Sequence, residues 1–133
     1  MTGVATSCRV IEPRYLLDSN ICIYLLGGRS DLALQRVQAC RRGEVVTSTI
    51  CYAEVMRGVD QAERLKAGQF FKAIAPLDFD KAAALRHSQL PFRRHSLDRL
   101  IAAHAASAGL VLVTNNEADF ADVPGLAVEN WTL

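Results

Sequence analysis

Tyr15-Leu16-Leu17 is a short apolar run that stops on a carboxylate, Asp18, and is followed after Ser19-Asn20 by a second apolar run over residues 21–26. A brief apolar segment, a polar punctuation and a longer periodic segment predict a buried strand feeding a helix. In open α/β sheets chemistry gathers at the carboxyl ends of such strands, which puts Asp18 where a catalytic or metal-binding acid belongs. The alternative is that Asp18 or Ser19 only caps the helix, a role for which both residue types are favoured.

The same grammar repeats downstream. Ser30 or Asp31 caps a predicted helix running to about Arg42 and closed by Gly43. Val45-Val46 predicts a second strand, and Thr47-Ser48-Thr49 leads into a third helix that ends at Gly58. A polar helix is expected over residues 61–72, and Ile74-Ala75-Pro76-Leu77 reads as a strand of edge quality because Pro76 cannot donate to a ladder. Further helices are expected over residues 80–89 and 96–108, the second with an apolar stripe at Leu97, Leu100, Ile101, Ala105 and Ala108. Leu110-Val111-Leu112-Val113 is the most strand-like run, and Leu126-Ala127-Val128-Glu129 supplies a fifth strand. This alternation predicts an α/β fold, a parallel sheet of about five strands with helices on both faces. Residues 14–133 form the expected domain, with residues 1–13 as an irregular extension.

Composition narrows the function classes. A chain of 133 residues, 50% hydrophobic and 22% charged, suits one globular domain with a proper core. No apolar stretch is long enough to cross a bilayer, and the first residues lack a signal-like apolar core, so a cytoplasmic protein with no membrane partner is expected. A net charge of +1 leaves no overall electrostatic footprint for nucleic acid, so a polyanion must be held locally. Cys8, Cys22, Cys40 and Cys51 show no Cys-x-x-Cys pairing and are read as reduced core residues.

Four acids then stand out. Besides Asp18, Glu54 falls inside the apolar arc of its helix, where a carboxylate needs either the neighbouring Arg57 or a bound ligand. Asp98 sits in the first turn of its helix, a place the helix dipole explains equally well. Asp119 closes the polar segment that follows the strand ending at Val113. His104 is expected to be a packed or surface residue, since nothing nearby in sequence orients it. Arg93-Arg94-His95 is the most basic cluster, either a solvated loop or a phosphate contact, with Arg93 and Arg94 the candidate contacts. Each acid has a private structural explanation. Four of them gathered on one rim are better explained together, as oxygen ligands for a hard divalent cation such as magnesium.

These residues carry a family resemblance. Leu17-Asp18-Ser19-Asn20-Ile21, Ala53-Glu54-Val55-Met56-Arg57-Gly58, Asp98-Arg99-Leu100-Ile101-Ala102-Ala103-His104-Ala105 and the tail from Leu112-Val113-Thr114-Asn115-Asn116 through Phe120 to Trp131 together resemble PIN-domain ribonucleases of the VapC toxin type. The resemblance covers roughly residues 14–131. It implies an α/β/α fold and acids for metal at Asp18, Glu54 and Asp98, with Asp119 at a variable fourth position. It also implies a homodimer, and an antitoxin whose C-terminal segment blocks the site. On that footing Asp18 and Asp98 are the expected direct ligands of magnesium, or of manganese in its place. Glu54 either ligates or orients water, and Ser19, Asn20, Thr114 and Asn116 are expected to support the carboxylates. The competing reading is a non-catalytic PIN-like module that only binds a protein. A phosphoacceptor signalling domain is disfavoured, because no second acid adjoins Asp18 and no lysine lies near Val128.

Overall fold

The computed structural model describes residues 11–91 and 96–133. Cys8 and the rest of the expected extension up to residue 10 lie outside the described residues, and residues 11–14 carry no regular element.

The first apolar run forms β1 (Tyr15–Leu17), and the second forms α1 (Ser19–Leu26). After α2 (Asp31–Ala39) come β2 (Val45–Ser48) and α3 (Thr49–Gly58). A 3-10 turn (Gln61–Glu63) leads into α4 (Arg64–Ala73), then β3 (Pro76–Leu77) and α5 (Lys81–Ser88). The chain ends with α6 (Leu97–Ala108), β4 (Val111–Val113), a 3-10 turn (Glu117–Phe120) and β5 (Val128–Glu129). The five strands form one parallel sheet in the order β3-β2-β1-β4-β5, as the alternation predicts.

Alternation along the central strand splits the core in two. Leu16, paired with Val46 and Leu112, joins the cluster that α6 completes with Ile101, Ala102 and Ala105. Leu17 points the other way, into a cluster with Ile21, Cys22, Ala33, Phe71 and Trp131. Successive strand side chains face opposite sides of a sheet, so each face has its own helical cover. Cys22 and Cys51 are buried free thiols, as expected, and Cys40 is free and half-buried. No helix among the described residues is long and apolar enough to cross a membrane.

Some boundaries move, for identifiable reasons. The helix expected to reach Arg42 stops at Ala39, because Cys40 is extended and the Glu44 carboxylate captures the Arg41 N–H at 2.7 Å, away from helical geometry. The second strand runs past Val46 to Ser48, since Thr47 Oγ1 donates to Leu17 O at 2.8 Å and satisfies its buried hydroxyl. The third strand shrinks to Pro76–Leu77 and lies at the sheet edge, where a proline belongs. The fifth is likewise only Val128–Glu129. In α6 the expected stripe is rotated: Leu97 is 41% exposed and Ala108 is exposed, whereas Arg99, Ala102, Ala103 and His104 are buried.

The C-terminus is tied down by Trp131. Its indole N–H donates to Glu129 at 2.9 Å, the Arg36 guanidinium lies 4.9 Å above its ring, and Tyr15 meets it edge-on. With Trp131 1% exposed, Trp131→Ala is expected to lower unfolding free energy by about 3–5 kcal/mol in urea titration. A loss below about 1 kcal/mol would mean that this anchor is dispensable.

Candidate active site

β1 and β4 are neighbours at the centre of the sheet, yet the order continues to β2 on one side and to β5 on the other. A reversal of this kind opens a crevice at the carboxyl ends of the two strands. Asp18 is the first residue beyond β1 and Thr114 the first beyond β4.

Asp18 does cap α1, but the cap occupies only half of its carboxylate. Oδ1 accepts from the Ser19 N–H at 2.6 Å, and Oδ2 accepts from Thr114 Oγ1 at 2.7 Å. The residue is 5% exposed, and burial pushes its pKa up from 3.8 to about 6, overriding both hydrogen bonds. The negative charges of Asp98 and Glu54 push in the same direction, so both lie within electrostatic reach of Asp18.

Each neighbour is held by its own element. Glu54 is half-buried on α3, where Oε1 accepts from Ser19 Oγ at 2.6 Å. It forms no ion pair with Arg57 among the described residues, so its structural alternative is not realised. Asp98 occupies the first turn of α6, partly exposed. Asp119 stands apart: its carboxylate accepts from the Asn116 side chain, and it is not among the charges that perturb Asp18. A relay joins them, since the Asn116 N–H donates to Thr114 Oγ1 at 3.1 Å and that hydroxyl donates to Asp18. Asn20 is exposed and contributes no side-chain hydrogen bond among the described residues. Arg93, Arg94 and His95 lie outside the described residues. No three His, Cys, Asp or Glu side chains among the described residues group tightly enough to hold a metal ion by themselves.

Sequence reasoning missed four features here. His104 is packed, as expected, but it is also oriented, with Nδ1 2.8 Å from the Oγ of Ser48, the cap of α3, and its ring edge-on to Phe79. Burial lowers its pKa. Its partner lies 56 residues away, beyond any local pattern. Asn115 donates to the Tyr24 hydroxyl at 3.0 Å, tying α1 to the segment after β4. Arg99, beside Asp98, is buried on two hydrogen bonds to Asp122. Finally, a groove of about 260 Å³ adjoins Glu54, with Ile23, Leu26, Val55 and Val59 among its apolar walls and Arg29 and Lys66 among its charged ones.

The Asp18 shift has a measurable sign. A carboxyl whose folded pKa is raised binds its proton more tightly when folded, so stability is lost as pH rises from about 4 to about 6. The penalty at pH 7 is on the order of 3 kcal/mol. In EDTA, Asp18→Asn is therefore expected to melt above the wild type at pH 7, with the gap closing toward pH 4. A gap that does not change with pH would refute the buried-charge account.

Comparison with known proteins places the chain in a family. Residues 15–126 match the PIN domain family. Ribonuclease VapC2 of Haemophilus influenzae is 31% identical over 130 residues, covering 89% of this chain and 98% of that relative. The tRNA(fMet)-specific endonuclease VapC of Shigella flexneri is 29% identical, covering 90% and 98%. Among solved structures, DNA-bound VapBC from Salmonella typhimurium superposes with a TM-score of 0.79 at 27% identity, covering 90% of this chain and 98% of that one. VapBC-1 from nontypeable Haemophilus influenzae gives 0.75 at 27% identity. This chain belongs to the PIN domain family, on its VapC ribonuclease branch.

Proposed function

We propose that this chain is the ribonuclease toxin of a toxin–antitoxin pair, working in the cytoplasm and hydrolysing phosphodiester bonds in RNA with the help of magnesium or manganese. The observation that carries the reading is a buried Asp18 carboxylate at the strand-order switch, held by Thr114 and by Ser19, whose hydroxyl also holds Glu54. A buried carboxylate beside a second acid held by the same serine is a poor structural device, and carboxylate oxygens are the ligands that a hard cation takes. The donor set fits magnesium, which is bound through one or two carboxylates and completes its shell with water and substrate phosphate. Asp18 and Asp98 would hold it. When bound, the ion supplies charge neutralisation and a more acidic water for attack at phosphorus.

The chain's own residues account for the rest. Thr114 and the Ser19 N–H fix the plane of the Asp18 carboxylate. Ser19 Oγ holds Glu54 by Oε1, leaving Oε2 to orient the attacking water and accept its proton. Asp119 reaches the centre through the relay of Asn116 and Thr114, which suits the variable fourth position. An antitoxin partner follows from relatives solved as VapBC complexes. The groove beside Glu54 suits an apolar antitoxin segment that ends in an Arg or Lys, which would occupy the acidic site in place of the cation.

Purified protein free of antitoxin is expected to cleave single-stranded or loop RNA with magnesium or manganese and to stop in excess EDTA. Asp98→Asn should lower the rate at least a hundredfold and remove most of the magnesium-dependent rise in melting temperature. Undiminished cleavage in EDTA would exclude the metal mechanism, and no cleavage under any condition would favour the binding-module reading.

A homodimer completes the proposal, supported by Leu32, Leu34 and Tyr52, large apolar side chains left exposed on α2 and α3. A stable pair buries about 1,200 Å² or more, so sedimentation at tens of micromolar is expected to give a dimer. A monomer throughout that range would refute it.

A further inference from the structure

Arg29 is a cation that the proposed reaction leaves unused. It stands in the loop after α1, on the wall of the groove that Glu54 also lines. Two glycines put it there. Gly28 takes a left-handed φ of 66°, and the Arg29 N–H turns back to donate to Tyr24 O at 2.8 Å, closing the C-terminus of α1. Gly27 leaves room for the Arg29 stem, whose Cγ and Cδ pass 3.7 and 3.9 Å from the place a Cβ would take. The guanidinium ends 6.0 Å over the Tyr24 ring.

A cation just beyond a helix C-terminus has an ordinary explanation, since it complements the helix dipole. Among the described residues, however, this exposed guanidinium pairs with no acid, and its planar set of donors is turned onto an aromatic face. The Tyr24 hydroxyl adds a second donor. It accepts from the Asn115 amide at 3.0 Å, and a phenol that accepts keeps its own proton to give away.

Both groups are set at a fixed span from the buried acid, by two separate connections. Asn115 follows Thr114, whose hydroxyl holds Asp18. Tyr24 lies six residues along the helix that Asp18 caps, about 9 Å by helical rise. That is too far to touch a phosphorus under attack at Asp18, and near enough for the next phosphate along the strand. With a net charge of only +1 the chain has no general field for a polyanion, so backbone phosphates need local donors. A guanidinium matches phosphate oxygens in geometry as well as in charge.

We propose that Arg29 and Tyr24 form a phosphate subsite, which holds the backbone of single-stranded RNA one step away from the bond that is cut. The assignment deepens the ribonuclease reading and rests on it. Neither residue touches the reacting phosphorus, and together they fix where along the strand Asp18 acts.

Fluorescence anisotropy of a labelled, unstructured RNA strand in EDTA reads binding without turnover. Arg29→Gln is expected to weaken binding about tenfold and to lower the slope of log affinity against log salt by about 0.7, the share of one phosphate contact. Tyr24→Phe keeps the ring but loses the donor, and is expected to weaken binding about threefold with the slope unchanged. Lys72→Gln removes an equal charge from the last turn of α4, outside the groove, and should alter neither quantity. Arg29 and Lys72 are exposed, so both variants are expected to melt with the wild type. Unchanged affinity and slope in Arg29→Gln would overturn the subsite, as would an equal loss in Lys72→Gln or a wild type that binds no RNA. The two readings fail separately: a wild type that binds RNA with this signature but never cleaves it with magnesium removes the nuclease and leaves the subsite, while metal-dependent cleavage with unaltered binding in Arg29→Gln does the reverse.

Discussion

Burial of a carboxylate at the end of the central strand is the constraint from which the rest of the molecule follows. Asp18 sits between β1 and β4 with almost no solvent to stabilise its charge, and two hydrogen bonds do not make up the difference. Each donor binds a different part of the chain to the same point. The Ser19 N–H belongs to α1 and the Thr114 hydroxyl to the segment after β4, so the unfavourable group is held by the elements that frame the crevice. In the proposed mechanism the compensation for that charge comes from outside the polypeptide, as a bound cation.

Around that point a second layer of polar contacts spaces the helices. Ser19 reaches Glu54 on α3, and Ser48 at the root of α3 meets His104 on α6. α3 also spans both halves of the core, with Cys51 on the α6 side of the sheet and Val55 on the α1 side. Serine is well suited to these junctions because one hydroxyl both accepts and donates. Ser48 accepts from the Ile50 N–H as a cap while touching the imidazole. Asp18 and Glu54 are thus positioned by hydroxyls, which are short and leave their charge in place.

How much of this was legible in the sequence depends on how local each signal is. β1, α1 and the cap at Asp18 announce themselves within a dozen residues, because apolar runs and polar punctuation act over one turn or one strand. The parallel sheet follows from alternation alone. Glu54 was conspicuous as a carboxylate among apolar neighbours, yet its partner, Ser19, lies 35 residues away. The burial of Arg99 and the orientation of His104 by Ser48 were not legible, for the opposite reason. A charged or polar residue on a helix defaults to the surface, and only α5 packed along α6 and the turn after β4 bring these two inside. The end of α2 was misplaced because Glu44, which captures the Arg41 amide, acts from beyond the helix.

The short outer strands carry a consequence of another kind. β3 and β5 are two residues each, the first begins with a proline, and the second runs straight into the Trp131 anchor. An exposed strand of ordinary length is an invitation to backbone pairing with any extended chain nearby, and these borders are too short to extend it. Partners must therefore recognise this protein by its side chains, through helices, grooves and loops, and not by adding a strand to its sheet. If the protein is held in check by an antitoxin, as proposed, that restriction leaves discrimination to surfaces whose sequence can vary, instead of to a backbone that every protein shares.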